Sequence, residues 1–280
     1  MPTATAPTFL TGAPRVLVFD SGVGGLSIAA EIQQRLPQVQ LIYASDNAAF
    51  PYGTKTETEL ITRVDLVISR LLQEFAVDIL VVACNTASTL TLPHLRSKFT
   101  LPIIGVVPAI KPAAEQTRTG VIGLLATPAT IVRPYTLELI RNYAPNCTVI
   151  SIGSRELVEL AEQKLRGETI SPLAITSITQ QFLLHAAGAR MDKLVLACTH
   201  FPLLRTEIAV NLPKNIELID SGAAIARRLE HLLQTQPLLS SQQRSPIATT
   251  AIFTQHSAAT ELLAHALKSF DIHQQVYLHV

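Results

Sequence analysis

The chain places a cysteine at the end of each of two similar apolar stretches. Residues 81–89 read VVACNTAST and residues 194–202 read LVLACTHFP, and these stretches hold Cys84 and Cys198, two of the three cysteines in the sequence. Two thiols on opposite faces of a carbon atom could invert it, because one thiolate removes a proton while the other thiol returns one from the far side. Free cysteines are also common as small buried residues, so plain packing is the alternative.

Polar side chains follow directly after both thiols and after an earlier predicted strand. They are Ser21, Asn85, Thr86 and Thr199, which could bind a carboxylate together with the N–H groups of helix N-termini. Serine, threonine and asparagine are also the usual N-caps of helices, and the two roles are compatible. His200 lies two residues after Cys198, where it could share or tune the proton of the thiol.

The stretch DSGVGGLS at residues 20–27 allows a dinucleotide-binding interpretation. Gly22 and Gly24 begin a G-x-G-x-x-G pattern, but Ser27 stands where the third glycine is required. Asp20 would also place a carboxylate close to the pyrophosphate, and a carboxylate better suits an ammonium group or the orientation of a thiol. A tight strand-to-helix turn that merely permits glycine is the plainer alternative.

Two other kinds of cysteine chemistry fit the spacing poorly. The C-x-H spacing of Cys198 and His200 is not a standard zinc-ligand spacing, and the sequence has no C-x-x-C or H-x-x-x-H partner for it. A cysteine hydrolase would use Cys198 as nucleophile and His200 as base, but such groups usually come from distant segments. We therefore expect no metal site, and the hydrolase remains a less favoured alternative.

Strands and helices alternate along the chain, which predicts an α/β protein with parallel, doubly wound sheets. The two cysteines end strands at corresponding places in two successive series, so we expect two related α/β units. The predicted strands are 15–20, 39–46, 78–84 and 102–107 in the first series, and 119–127, 147–154 and 193–199 in the second. Because ligands bind at the carboxyl ends of such strands, the units should share one cleft.

The C-terminal third of the chain is predicted to return to the first unit. Residues 216–233 contain IDSGAAIARR, which repeats the earlier DSG turn. The predicted division is a flexible leader over 1–14, a discontinuous first domain over 15–108 and 215–280, and a second domain over 109–214. Within the first domain, residues 234–246 read as a polar linker, and the tail as a further helix and strand.

The composition is that of a globular protein, with 48% hydrophobic and 15% charged residues among 280. A formal net charge of +1 provides no basic face for nucleic acid or an anionic membrane. The N-terminus lacks the features of a signal peptide, and the apolar stretches end well before the ~18 residues of a transmembrane helix. Three cysteines without paired spacing favour a reducing compartment. We expect a soluble, cytoplasmic protein.

Seven motifs, taken in their order, resemble glutamate racemases of the aspartate/glutamate racemase family. They are VFDSGVGGLS, PYG, VVACNTAS, GVVPAIKPA, GLLAT, LACTHFPLL and IDSGAAIARR, and they lie between Arg15 and Leu233. The resemblance implies two α/β domains related by pseudo-twofold symmetry, with the active site in the cleft between them. It also implies interconversion of L- and D-glutamate without a cofactor, which supplies D-glutamate for peptidoglycan.

The resemblance further implies a role for each matching residue. Cys84 and Cys198 would be the two acid/base thiols, assisted by Asp20 and His200 respectively. A further family acid falls on Glu162, and Glu159 in the same predicted helix is the alternative. The residues that would hold the substrate are Ser21, Tyr52, Gly53, Asn85, Thr86, Thr130 and Thr199.

Several alternatives remain open at the level of the sequence. The thiol pair specifies inversion better than side-chain length, so a racemase of aspartate or another small acidic amino acid is the nearest alternative. A non-enzymatic module that closes on an acidic ligand, with the thiols as packing, is another. We expect a small-molecule partner and no nucleic acid or membrane, and a homodimer is left open.

Overall fold

A computed structural model describes residues 12–235 and 249–280. Residues 1–11, most of the predicted leader, and residues 236–248, which include most of the predicted linker over 234–246, lie outside the described residues. The strands are β1 (Arg15–Asp20), β2 (Gln40–Ser45), β3 (Ile79–Val82), β4 (Ile103–Gly105), β5 (Val121–Ala126), β6 (Thr148–Gly153), β7 (Lys193–Leu196), β8 (Glu217–Ile219), β9 (Thr250–Phe253) and β10 (Gln274–Tyr277).

Helices alternate with these strands, and four short 3₁₀ segments lie among the described loops. The helices are α1 (Leu26–Arg35), α2 (Glu57–Glu74), α3 (Asn85–Lys98), α4 (Ile110–Gln116), α5 (Pro128–Ile131), α6 (Pro134–Tyr143), α7 (Glu156–Leu165), α8 (Pro172–Leu184), α9 (Arg205–Ala209), α10 (Gly222–Thr235), α11 (Ala258–Leu262) and α12 (Ala264–Ser269). No helix within these described segments has both the length and the apolar composition needed to cross a bilayer.

The strands form two sheets, and every strand pair is parallel. The larger sheet has the order β10-β9-β2-β1-β3-β4, and the smaller has the order β6-β5-β7-β8. We call the larger sheet with its helices the first unit and the smaller sheet with its helices the second unit. The order β2-β1-β3-β4 recurs as β6-β5-β7-β8, so β3 and β7 occupy equivalent places. The prediction of two related α/β units with parallel sheets is confirmed.

Continuous burial explains why the central strands form. All residues of β1, β3, β5 and β7 are buried, as expected for parallel strands covered by helices on both faces. The covering helix α2 begins with a capping box in which Thr56 and Glu59 bond each other's backbone N–H groups. Its predicted apolar face is buried against the sheet, through Leu60, Val64, Val67 and Leu71.

One segment lies in a different unit from the one predicted. The predicted division placed residues from 215 onward in the first domain, but β8 pairs with β7 in the smaller sheet. The chain returns to the first unit after Ile219, where α10 packs against α1 and both β9 and β10 extend the larger sheet. A short strand of this kind is placed by its backbone pairing, which the DSG repeat at residues 220–222 does not encode. The remainder of the domain division stays a prediction.

Candidate functional site

The carboxyl ends of both sheets face one cavity of about 140 Å³. Ten of the twelve predicted site residues line it: Ser21, Tyr52, Gly53, Cys84, Asn85, Thr86, Thr130, Cys198, Thr199 and His200. The other two, Asp20 and Glu162, contact lining residues through hydrogen bonds. Each unit contributes one thiol, because Cys84 follows β3 and Cys198 follows β7. The structure therefore brings the whole predicted set together.

Cys84 is a buried thiol at the N-terminus of α3. Its Sγ lies 3.9 Å from Ser21 Oγ, and the backbone N–H of Ala87 also interacts with the sulfur. Burial raises the pKa of Cys84 from 9.0 to about 12, and the charge of Asp20 adds to this effect. At neutral pH Cys84 is therefore a protonated thiol, which is the form of a proton donor.

Asp20 ends β1 and is completely buried. Its Oδ1 accepts a hydrogen bond from the N–H of Gly22 at 2.9 Å, and its Oδ2 accepts one from Thr199 Oγ1 at 2.9 Å. Burial raises the pKa of Asp20, while the charge of His200 and these hydrogen bonds oppose that rise. The carboxyl group thus joins the first unit to the loop that carries Cys198.

His200 connects the second thiol to a carboxylate. Its Nδ1 lies 3.8 Å from Cys198 Sγ, and its Nε2 lies 2.8 Å from Glu162 Oε1. Burial opposes protonation of the ring, but hydrogen bonds and charges from Cys198 and Glu162 outweigh it and raise the pKa of His200 well above its ordinary 6.5. The resulting imidazolium can stabilise a negative charge on Cys198 Sγ.

The two candidate acids of α7 occupy different positions. Glu162 bonds His200 and also accepts a hydrogen bond from the N–H of Val23 at 2.8 Å. Glu159 lines the cavity and is exposed. The geometry therefore favours Glu162 as the acid that assists His200, and its catalytic role remains a prediction.

The glycine turn after β1 accommodates side chains of the second unit. A Cβ at Gly22 would lie 2.3 Å from Glu162 Oε1, and a Cβ at Gly24 would lie 2.4 Å from His200 Nδ1. Ser27, at the position of the missing third glycine, donates a hydrogen bond to the carbonyl of Thr199 at 2.9 Å. The glycines leave room for the side chains of Glu162 and His200, and neither the dinucleotide interpretation nor the merely permissive turn describes this arrangement.

The remaining polar groups are suited to a small zwitterionic ligand. Asn85 Oδ1 is buried and has no hydrogen-bond partner, so it can accept a hydrogen bond from a bound ammonium group. Thr130 is buried and shares a hydrogen bond of 2.9 Å with Thr127 Oγ1 at the start of α5. Tyr52 lines the cavity, and its hydroxyl donates a hydrogen bond of 2.7 Å to Asp46 Oδ2.

Several contributing residues were not identified from the sequence. The ring of Phe50 lies 5.8 Å from that of His200, centroid to centroid, and Arg155 lines the cavity as an exposed cation. Neither Phe50 nor Arg155 lies in a motif, so only the folded structure reveals them. Among the described residues, no three side chains of His, Cys, Asp or Glu are grouped to hold a metal ion.

The chain is similar in sequence to known racemases. The family described as Asp/Glu/Hydantoin racemase matches residues 26–229. A glutamate racemase from Pectobacterium atrosepticum is 53% identical over 227 residues, which cover 81% of this chain and 79% of that protein. These matches confirm the resemblance found in the sequence.

Solved structures give the same result. The Escherichia coli glutamate racemase, crystallised with L-glutamate and the activator UDP-MurNAc-Ala, has a TM-score of 0.91 and 45% identity, and the match covers 96% of this chain and 99% of that one. An isoform of glutamate racemase from Bacillus anthracis has a TM-score of 0.78 and 28% identity, with coverage of 96% and 98%.

Proposed function

The chain belongs to the Asp/Glu/hydantoin racemase family, and we propose that it interconverts L- and D-glutamate by proton transfer at Cα between two thiols. The observation that carries this proposal is the placement of one thiol from each unit at the same cavity. Two catalysts on separate units can approach opposite faces of one carbon atom. Removal of a proton from one face and its return to the other face inverts the stereocentre.

The two thiols differ in their surroundings. Cys84 is protonated because its pKa is about 12, whereas Cys198 lies beside the imidazolium of His200. In one direction Cys198, as thiolate, removes the α-proton while Cys84 gives its proton to the opposite face. The thiolate and thiol are then exchanged, and the reverse reaction uses the opposite assignment. No proton or electron is left over.

The α-carbon of an amino acid is weakly acidic, so the site must stabilise developing negative charge. A well-placed acid or base typically contributes about 10²–10⁴-fold, and geometry must supply much of the rest. Preorganised donors serve this purpose in a cavity that excludes water. We propose that Ser21, Asn85, Thr86 and Thr199 hold the α-carboxylate and the ammonium group, with Asp20 close to the latter.

Glutamate is the proposed substrate because the relatives named above are glutamate racemases and one of them was crystallised with L-glutamate. The backbone of Tyr52 and Gly53, with Thr130, would hold the side-chain carboxylate at the end of the cavity. Aspartate is the alternative substrate, and its shorter side chain would leave that end unfilled.

Several consequences of the family resemblance belong to the same proposal. The reaction would need no pyridoxal phosphate and no metal, and its product would supply peptidoglycan synthesis in the cytoplasm. A homodimer is compatible with the site, since both thiols come from one chain.

A direct test follows L- and D-glutamate separately by circular dichroism with dialysed protein and no added pyridoxal phosphate. We expect both to reach the same racemic end point, with aspartate reacting much more slowly. If aspartate reacts faster, aspartate is the substrate and not glutamate. If neither amino acid reacts, the proposed racemase activity is contradicted.

A further inference from the structure

We propose that Asp46, Arg63 and Thr254 form an anchor that positions the cavity-lining segment 50–54, and so determines how the substrate side chain is held. This inference rests on the proposed function, because it assigns the supporting structure of the same site. Residues 249–280 lie beyond residues 26–229, the range matched by the family. They therefore acquire a role in the site without lining its cavity.

Asp46 is the centre of the anchor. It follows β2, is completely buried, and uses both carboxylate oxygens. Oδ1 accepts hydrogen bonds from Arg63 Nη2 at 2.6 Å and Thr254 Oγ1 at 2.8 Å. Oδ2 accepts hydrogen bonds from Arg63 Nε at 2.9 Å and Tyr52 Oη at 2.7 Å. A buried carboxylate is tolerated when it is paired and fully bonded in this way.

Tyr52 transmits the position of the anchor to the cavity. It lines the cavity but is only 1% exposed, its ring packs beside that of Phe19 in the core of the first unit, and its hydroxyl donates to Asp46. Phe50, two residues earlier, packs against the ring of His200. A shift of this segment would therefore move the backbone N–H groups proposed to hold the side-chain carboxylate.

Thr254 joins the anchor to the strand that extends the larger sheet. It follows β9, and its hydroxyl donates to Asp46 and accepts a hydrogen bond from the N–H of Ala48 at 3.1 Å. The neighbouring Gln255 exchanges two hydrogen bonds with the side chain of Asn47, at 2.8 and 3.0 Å. Residues 46–48 are thus held to residues 254–255, and none of these residues lines the cavity.

A buried ion pair is weak evidence of a stabilising role by itself. Here the carboxylate of Asp46 also accepts a hydrogen bond from the side-chain hydroxyl of Tyr52, and Tyr52 lines the cavity. Positioning of the cavity-lining segment explains why the anchor includes a bond to Tyr52.

Thr254→Val removes the hydroxyl while keeping the shape, and Thr254→Ser keeps the hydroxyl. Small displacements of a site can cost up to ~10²-fold in rate. Because the anchor positions the segment that would hold the substrate side chain, we expect Thr254→Val to raise KM for glutamate about 3- to 10-fold and to change kcat by less than about 2-fold. The Ser variant should stay within about 2-fold of the parent. Thr260→Val is the matched control, because Thr260 is equally buried but its hydroxyl bonds only within the cap of α11.

Hydrogen exchange of the amides of residues 47–54, followed by mass spectrometry, tests the anchor independently of activity. We expect faster exchange in Thr254→Val and parent-like exchange in Thr254→Ser and Thr260→Val. Unchanged exchange in Thr254→Val would overturn the anchor. Faster exchange with an unchanged KM would overturn its link to substrate binding. If the parent itself does not racemise glutamate, the proposed function fails, and the exchange data still decide whether the anchor exists.

Discussion

The hydroxyl of Thr199 donates a hydrogen bond of 2.9 Å to the carboxyl group of Asp20, across the boundary between the two units. Thr199 is the neighbour of Cys198, and the charge of Asp20 contributes to the raised pKa of Cys84. This one contact therefore links the surroundings of both thiols. It also fixes the second unit's thiol loop to the first unit's sheet.

Replacing Asp20 should change the ionisation of Cys84. Asp20→Asn removes a negative charge that opposes the thiolate, so the pKa of Cys84 should fall below about 12. The measurement is the rate of iodoacetamide modification of the Cys84 peptide at pH 9, read by mass spectrometry. We expect a faster reaction in the variant, with modification of Cys147 unchanged as the internal control. Equal rates at Cys84 would show that Asp20 does not act on this thiol.

Cys84 should also make the fold less stable in alkali. Its folded-state pKa is raised, so its contribution to stability is complete below 9.0 and is lost as pH rises toward about 12. By proton linkage this amounts to about 2 kcal/mol between pH 8.5 and 10.5. Urea unfolding of the parent and of Cys84→Ala at these two pH values measures it. The free energy of unfolding should fall more steeply in the parent, and identical slopes would contradict the buried-thiol assignment.

Gly24 should tolerate no side chain. In Gly24→Ala the new Cβ would lie 2.4 Å from His200 Nδ1 and 2.6 Å from Thr199 Oγ1, so the imidazole beside Cys198 must shift. We expect kcat to fall by about 10²-fold, as for other small displacements of catalytic groups. Steady-state kinetics and a thermal melt give the comparison. A fully active variant would show that the orientation of His200 is not required.

Arg155, directly before α7, and Glu159, within α7, should affect substrate binding in opposite directions. Both are exposed residues that line the cavity. The positive charge of Arg155 should attract the carboxylate of an acidic substrate, and the negative charge of Glu159 should repel it. Arg155→Ala should raise KM for glutamate about 3- to 10-fold, and Glu159→Gln should lower it, with both effects reduced by salt. Lys111→Ala, an exposed cation outside the cavity lining, is the control. Equal effects of all three variants would exclude local electrostatics.

Local patterns in the sequence predicted the features that local forces determine. The buried apolar runs gave the parallel strands, and the repeated Ala-Cys ends gave the thiol pair at equivalent strands. The length of an apolar run and the polar residues that follow it involve only residues close together in the chain. These features can therefore be read from the sequence.

Contacts between distant segments could not be predicted in this way. The bond between Thr254 and Asp46 joins residues 208 positions apart, and that between Glu162 and Val23 joins residues 139 apart. The membership of β8 in the smaller sheet likewise depends on pairing with β7. Nothing in the residue types of these segments specifies their partners, which are set by the packing of the two units.

The most direct test of the two-thiol account is deuterium incorporation at Cα of L- and D-glutamate in D₂O, measured by NMR together with inversion. The parent should introduce deuterium with inversion from either enantiomer, whereas Cys84→Ala and Cys198→Ala should each abolish inversion. Cys147→Ser removes the third cysteine, which lies outside the cavity lining, and should behave as the parent. Inversion at the parental rate in either single-thiol variant would contradict the account.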